Sequence, residues 1–62
     1  MKTYNGFTLE EMRAEVAREL ALRKRTYAKW VAAGTMTQAD HDQHIGRLAA
    51  VLALIDDTEA KQ

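Results

Sequence analysis

The 62-residue sequence contains no cysteine, no proline and no serine, and it has only three glycines. Without cysteine the chain has no disulfide, no thiolate metal ligand and no cysteine nucleophile, and nothing indicates an oxidising compartment. Without proline, and with abundant Ala, Leu, Glu, Lys and Arg, the composition favours helix. We therefore expect an all-α protein that resides in the cytoplasm.

The sequence also lacks an excess of positive or negative charge, and it has no long apolar run. Nine Lys and Arg balance nine Asp and Glu, so the overall charge does not favour binding to nucleic acid. No stretch approaches the roughly 20 apolar residues of a membrane span, and the N-terminus lacks the apolar stretch of a signal peptide. A hydrophobic content of 47% excludes a disordered tail. These features predict one small soluble domain that does not contact membranes.

Two helices are predicted from capping signals and hydrophobic spacing. Thr8 and Glu11 form a capping-box pattern before a helix over residues 9–33, and Gly34 follows at the position where many helices end. A turn over residues 34–37 contains Thr37, which caps a second helix over residues 38–56. A turn this short folds the second helix back against the first. The prediction is an antiparallel helical hairpin.

The predicted organisation has three parts. Residues 1–7 are an N-terminal extension, residues 8–57 form the hairpin domain, and residues 58–62 are a frayed tail. Apolar side chains at helical spacing predict a seam between the helices, with the first turn of helix 1 overhanging helix 2. The predicted seam comprises Leu9, Met12, Val16, Leu20, Tyr27, Trp30 and Val31 on helix 1 and His41, Ile45, Leu48, Leu52 and Ile55 on helix 2.

A single hairpin buries little apolar surface, so we expect self-association into a homodimeric four-helix bundle. Small residues form a second stripe on each helix, and Leu54 leaves the end of helix 2 apolar most of the way round. The predicted self-association residues are Ala14, Ala17, Ala21, Ala49, Ala53 and Leu54. The alternative is that alanine is present only because it is the best helix former.

A candidate partner-binding surface lies near the turn. Helical spacing places Arg23 inside the apolar seam, where it either pairs with Glu19 or stacks on Tyr27 or Trp30. Exposed aromatic residues beside arginine dominate the binding energy of many interfaces, although these aromatics also serve to close a core. We call the predicted partner-binding set the turn-end surface: Arg23, Tyr27, Trp30 and Met36.

A basic face of helix 1 is the second candidate site. Arg18, Arg25 and Lys29 share the outer face and are candidate contacts to phosphate or to an acidic protein surface. Nearby glutamates, including Glu15 and Glu19, neutralise part of this charge, so the alternative is a solvated helix face.

Metal binding and catalysis have little support. His41 and His44, with Asp40 one turn before His44, are candidate metal ligands, but no other histidine supplies a third firm ligand. There is no phosphate-binding loop, no cysteine or serine nucleophile, and no cleft that a hairpin encloses. We expect no metal, no cofactor and no enzymatic activity.

Residues 23–34, RKRTYAKWVAAG, lead into Met36-Thr37 and a helix rich in Ile and Leu. This pattern resembles a group of short phage and prophage proteins of unassigned function, over about half of the chain. Many members carry proline where this chain has Ala28, and the group offers no catalytic residues to transfer. The resemblance implies a phage origin and a bacterial cytoplasm. Small phage proteins often bind a host or phage protein.

The combined expectation is a small non-enzymatic protein that binds and modulates a host or phage protein through the turn-end surface. One alternative is a nucleic-acid-binding accessory protein that uses the basic face of helix 1. Another is a structural assembly protein.

Overall fold

The computed structural model describes residues 2–62 as two helices, α1 (Leu9–Ala32) and α2 (Gln38–Ala60). An ion pair joins Arg13 near the start of α1 to Asp56 near the end of α2, and Tyr27 near the end of α1 meets His41 near the start of α2. The helices are therefore antiparallel, and the prediction of an all-α helical hairpin is confirmed. Assembly into a homodimeric bundle stays a prediction.

α1 begins at the predicted capping box. The backbone N–H of Glu11 donates to Thr8 Oγ1 at 3.1 Å, and the backbone N–H of Thr8 donates to Glu11 Oε1 at 2.9 Å. These two bonds satisfy donors that the first turn of a helix leaves without intrahelical partners. The hydrogen bonds from the Thr8 backbone and hydroxyl hold the pKa of Glu11 below its ordinary value.

The turn between the helices also follows the sequence signals. α1 ends at Ala32, one residue before the predicted end, and Gly34 has a φ of +79°. The Thr35 N–H donates to the Trp30 carbonyl at 2.9 Å, and the Gly34 N–H donates to the Val31 carbonyl at 3.1 Å. This is a Schellman motif. It needs one residue in the left-handed backbone conformation, which glycine adopts at little cost. As predicted, Thr37 caps α2, accepting from the Asp40 N–H at 3.1 Å.

The prediction of a frayed tail over residues 58–62 was wrong for its first three residues. α2 continues to Ala60, four residues beyond the predicted end at Asp56. The Thr58 hydroxyl donates to the Leu54 carbonyl at 2.8 Å, and Lys61 Nζ lies 3.0 Å from Asp57 Oδ2. Without a glycine or proline after Asp56, nothing in the sequence stops the helix.

The longer α2 also removes the predicted overhang at the start of α1. Leu9 is only 7% exposed, and Glu59 near the end of α2 lines the same cavity as Leu9. The two helix ends border a shallow cavity of about 190 Å³, which is smaller than the roughly 300 Å³ at which ligand pockets begin. Its lining residues are Lys2, Thr8, Leu9, Glu10, Glu59 and Gln62.

The seam between α1 and α2 forms a thin core. Among residues 2–62, Leu9 and Leu20 are the buried hydrophobic side chains, and most of the other predicted seam residues are half-buried. Trp30 departs from the prediction because it is 46% exposed. At 100° per residue it lies about 60° from Tyr27 around α1, at the edge of the seam.

Arg23 also lies outside the seam in which helical spacing placed it. The residue is exposed, and its guanidinium leaves the seam to approach Glu19, with Nε 3.6 Å from Oε2. A long charged side chain keeps its head group in water while its stem lies along apolar surface.

The described part of the N-terminal extension is folded into a tight turn, and Met1 lies outside the described residues. The Tyr4 N–H donates to the Phe7 carbonyl at 2.8 Å, and the Phe7 N–H donates to the Tyr4 carbonyl at 3.0 Å. Asn5 and Gly6 have φ values of +52° and +85°. Asn-Gly is the sequence signal of this turn type, and it was missed in the sequence analysis.

The hairpin exposes more surface than a compact protein of its mass. It measures 45 × 17 × 15 Å, with a radius of gyration of 14.1 Å, against roughly 10.5 Å for a compact domain of this length. Its accessible surface is 4666 Å², against roughly 4,000 Å² for a compact monomer of 7.0 kDa. Neither α1 nor α2 combines enough length with enough apolar character to cross a lipid bilayer.

Candidate partner-binding surface at the turn

Four aromatic rings meet where α1 ends and α2 begins. We call Tyr27, Trp30, His41 and His44 the aromatic cluster. The ring centroids of Tyr27 and Trp30 are 5.4 Å apart with tilted planes, and the two histidine rings meet Tyr27 edge-on at 6.5 Å and 6.2 Å. These separations are in the range in which aromatic rings attract one another. Tyr27 is half-buried at the centre of the cluster, in contact with both helices.

The Trp30 indole is held in place although it is exposed. Its ring packs against Tyr27, and its carbonyl accepts from the Thr35 hydroxyl at 3.1 Å and from the Met36 N–H at 3.3 Å. The last turn of α1 is therefore anchored to the connecting turn. A large side chain that is already ordered loses little entropy when it binds a partner.

The structure brings part of the predicted turn-end surface together. Tyr27 contacts Trp30, and the half-buried Met36 is joined to Trp30 by its backbone. Arg23 makes the predicted ion pair with Glu19, which lies one turn further from the loop. Within residues 2–62 the cation–π contact is between Lys2 and Tyr4, so the alternative of Arg23 stacking on the aromatics is not observed.

His41 is half-buried in the seam, as predicted, whereas the contact of both histidine rings with Tyr27 was not predicted. Both histidines precede Ile45 in α2, His41 by one turn and His44 by one residue, and an antiparallel hairpin brings this part of α2 level with Tyr27. In the part of the chain that the structure describes, no group of three or more His, Cys, Asp or Glu side chains is placed to hold a metal ion.

A hydrogen-bonded chain of side chains lies beside the cluster at the start of α2. Asp42 Oδ1 is 3.0 Å from His41 Nδ1 and accepts from Gln38 Nε2 at 2.9 Å. Hydrogen bonds from His41 first, and from Gln38 second, hold the pKa of Asp42 below its ordinary value. The side chain of His41 is therefore fixed both by this chain and by the edge of Tyr27.

The basic residues of α1 differ in their pairing. Arg18 Nη1 lies 3.3 Å from Glu15 Oε2 and 3.7 Å from Glu19 Oε1, so its charge is largely neutralised. The ion pairs found among residues 2–62 include none with Lys24, Arg25 or Lys29. Of the predicted phosphate contacts, Arg25 and Lys29 therefore keep an uncompensated charge.

Charge is distributed unevenly along the hairpin. Residues 23–49 contain five Lys or Arg and two Asp, whereas the rest of the chain contains four Lys or Arg and seven Asp or Glu. The half that contains the turn therefore carries a net charge of +3, and the half that contains the open end carries −3. Such a field orients a charged partner during encounter.

The predicted self-association residues do not share one face. All are exposed except Ala17, which is half-buried. Five residues separate Ala49 from Leu54, which places them about 140° apart around α2. One flat interface cannot include both.

No protein-family model, curated protein or solved structure matches the chain.

Proposed function

We propose that this chain is a non-enzymatic protein that binds and modulates a protein partner through the turn-end surface. The observation that carries the proposal is Trp30, a large aromatic side chain that is nearly half exposed and yet held against Tyr27. Trp, Tyr and Arg are the residue types that dominate measured binding energies, and all three occur at this end of the hairpin.

The physical basis is the combination of apolar area with low ordering cost. An exposed indole that moved freely would lose rotamer freedom on binding. The free-energy cost of immobilising such a side chain is roughly 0.5 to 1.5 kcal/mol. The Trp30 side chain is already packed by Tyr27, and its backbone is anchored to Thr35 and Met36. Arg23 lies one turn before Tyr27 in α1 and adds a charged group on the side of the cluster away from the loop.

The class of partner is proposed from the resemblance to short phage and prophage proteins. Their pattern in this chain, RKRTYAKWVAAG, includes three members of the turn-end surface, Arg23, Tyr27 and Trp30. We therefore propose a bacterial host or phage protein as the partner and the bacterial cytoplasm as the location. The net charge of +3 on the half of the hairpin that contains the turn favours a partner with an acidic surface.

The experiment compares two exposed aromatic residues at opposite ends of the hairpin. The intact chain is used to capture proteins from a bacterial lysate, with Trp30→Ala and Phe7→Ala as variants. Phe7 is 56% exposed, slightly more than Trp30, but it lies at the open end. Trp30→Ala is expected to weaken binding of the captured protein at least tenfold, about 1.4 kcal/mol, and Phe7→Ala is expected to leave it unchanged.

A second variant tests the charged part of the surface. Arg23→Glu is expected to abolish capture, while its helical content stays that of the unmodified chain. Undiminished capture by folded Trp30→Ala and Arg23→Glu variants would refute the turn-end surface as the binding site.

A nucleic-acid-binding function is the second candidate, because Lys24, Arg25 and Lys29 lack acidic partners within the described chain. Trp30 is the single tryptophan of the sequence, so its fluorescence reports binding near the turn. Titration with a short DNA duplex at two salt concentrations is the test, because phosphate contacts weaken steeply with salt. Absence of binding at low salt eliminates this candidate.

A further inference from the structure

α2 carries a second stripe at the same spacing as its seam, on its opposite side. The half-buried seam positions of α2 are 41, 45, 48, 52, 55 and 59. The outer stripe has the same alternation of four and three residues and comprises Gln43, Arg47, Ala50, Leu54, Asp57 and Lys61. That alternation lets one helix pack along another. Leu54, at its centre, is 64% exposed, the highest value among the exposed large hydrophobic residues of the described chain.

The outer stripe is complementary to itself when two copies run antiparallel. With a two-fold axis passing level with Leu52, Ala50 lies opposite Leu54 of the second copy, and a large side chain meets a small one. The same arrangement places Arg47 opposite Asp57 of the second copy and Gln43 opposite its Lys61. The apolar centre is thus flanked on both sides by opposite charges. A two-fold interface requires this kind of self-complementarity.

Arg47 is available for such an intermolecular ion pair. Among residues 2–62 it forms no ion pair, and its Nη2 donates to the uncharged Gln43 Oε1 at 3.2 Å. Asp57 is exposed and pairs with Lys61 alone among residues 2–62. Ten residues along a helix separate Arg47 from Asp57 by roughly 15 Å, so the two cannot pair within one chain.

The outer face of α1 offers no comparable surface. The positions opposite its seam are mainly charged and include Glu11, Arg18, Arg25 and Lys29. The surface that the hairpin exposes beyond a compact monomer is roughly 600 Å² per chain. Two copies that covered this surplus would bury roughly 1,200 Å², which is the lower limit of specific interfaces.

We propose that the outer stripe of α2 binds the outer stripe of a second copy, antiparallel, with Leu54 against Ala50 and Arg47 against Asp57. This arrangement differs from the alanine-lined bundle that the sequence predicted, since it uses Leu54 but not Ala49. The turns of the two copies then point in opposite directions, with their Thr37 residues roughly 45 Å apart along the axis. Each dimer presents two turn-end surfaces, one at each end.

Sedimentation equilibrium of the intact chain and its variants tests the proposal at micromolar concentration. The unmodified chain is expected to sediment as a dimer, and Leu54→Glu is expected to raise the dissociation constant at least a hundredfold. Leu22→Glu is the matched control, because Leu22 is also exposed but lies on α1, and it is expected to leave the dimer intact. Circular dichroism establishes that each variant retains its helices.

Charge reversal gives a second readout that does not depend on the stability of the Leu54 variant. Arg47→Asp and Asp57→Arg are each expected to weaken the dimer about tenfold or more, and the double variant is expected to restore it. A monomeric unmodified chain, a dimer that Leu54→Glu leaves unchanged, or a double variant no stronger than the single ones would overturn the proposal. Partner capture by Trp30→Ala is a separate measurement, so failure of the turn-end surface is distinguishable from failure of this dimer.

Discussion

At the scale of the residue, burial differs sharply between near neighbours in α1. Leu20 is 9% exposed, whereas Leu22, two residues later, is 37% exposed. Two residues turn a helix by about 200°, so one side chain faces α2 and the other faces away. Because the core is thin, each of its few buried side chains contributes a large share of the stability.

This difference predicts unequal costs of truncation. Leu20→Ala is expected to lower the free energy of unfolding by about 2 to 3 kcal/mol, because it removes buried methyl groups and leaves a cavity. Leu22→Ala is expected to change it by less than about 0.5 kcal/mol. Urea denaturation followed by far-UV circular dichroism, at one protein concentration, measures both. Equal costs would show that the seam is not the core.

The capping box predicts how acid affects α1. The pKa of Glu11 is lowered in the folded state, so its contribution to stability is complete above the ordinary pKa of 4.5 and is lost as pH falls through the lowered value. In Glu11→Gln the side chain does not titrate. The difference in unfolding free energy between the unmodified chain and this variant is therefore expected to shrink from about pH 6 to about pH 3.

Glu10→Gln is the matched control for that measurement, because it removes a carboxylate from the same turn but none of the hydrogen bonds to Thr8. Urea denaturation at several pH values provides the unfolding free energies. A difference between the unmodified chain and Glu11→Gln that does not vary with pH would contradict the role of the Glu11 carboxylate.

Local hydrogen bonding explains which residue roles were predictable. Thr8, Thr37 and Gly34 were identified correctly, because their roles depend on side chains and backbone within a few residues. For Arg23 and Trp30 the sequence left two possibilities open, a place in the core and a place on an exposed binding surface. Helical spacing gives the direction of a side chain but not how far the neighbouring helix extends over it.

At the scale of the element, the two helices differ in how clearly their ends are marked. Gly34 ends α1 in a Schellman motif, and the sequence predicted that end to within one residue. α2 has no such signal after Asp56, and its last turn is held by Thr58 and by the Lys61–Asp57 ion pair. The extra turn of α2 was therefore missed.

Two glycines with open surroundings test the role of backbone conformation in these elements. Beyond the adjacent backbone, a Cβ at Gly34 or at Gly46 would meet no atom within 4 Å, so neither substitution changes the packing of the chain. Gly34→Ala is expected to destabilise the hairpin by about 1 kcal/mol, because its φ of +79° suits only glycine. Gly46→Ala lies inside α2 and is expected to stabilise it by up to about 1 kcal/mol.

Thermal unfolding of the two glycine variants, compared with the unmodified chain, shows whether each substitution raises or lowers the stability. A gain in stability from Gly34→Ala would contradict the Schellman motif. A loss from Gly46→Ala would show that a second helix approaches α2 closely at that point, as the predicted alanine-lined bundle requires.

At the scale of the whole molecule, shape and charge are the dominant properties. The chain is a rod 45 Å long with a thin seam, a basic half and an acidic half. The sequence predicted the hairpin, because a short turn between two capped helices leaves one arrangement. It did not predict the outer stripe of α2 as a separate surface, because that stripe is recognised only once the seam is known.

Both proposals use this rod in a consistent way. The outer stripe of α2 lies along its length and the turn-end surface lies at its end, so a dimer leaves both turn-end surfaces accessible. A very large oligomer in light scattering would instead favour the structural assembly protein considered from the sequence.

In the proposed dimer, the thin core of one hairpin is stabilised by a second copy. Thermal unfolding of the unmodified chain over a hundredfold range of concentration tests this most directly. The midpoint is expected to rise by roughly 10 °C across that range, because a higher protein concentration favours the dimer over unfolded chains. A cooperative transition with the same midpoint at every concentration would contradict it.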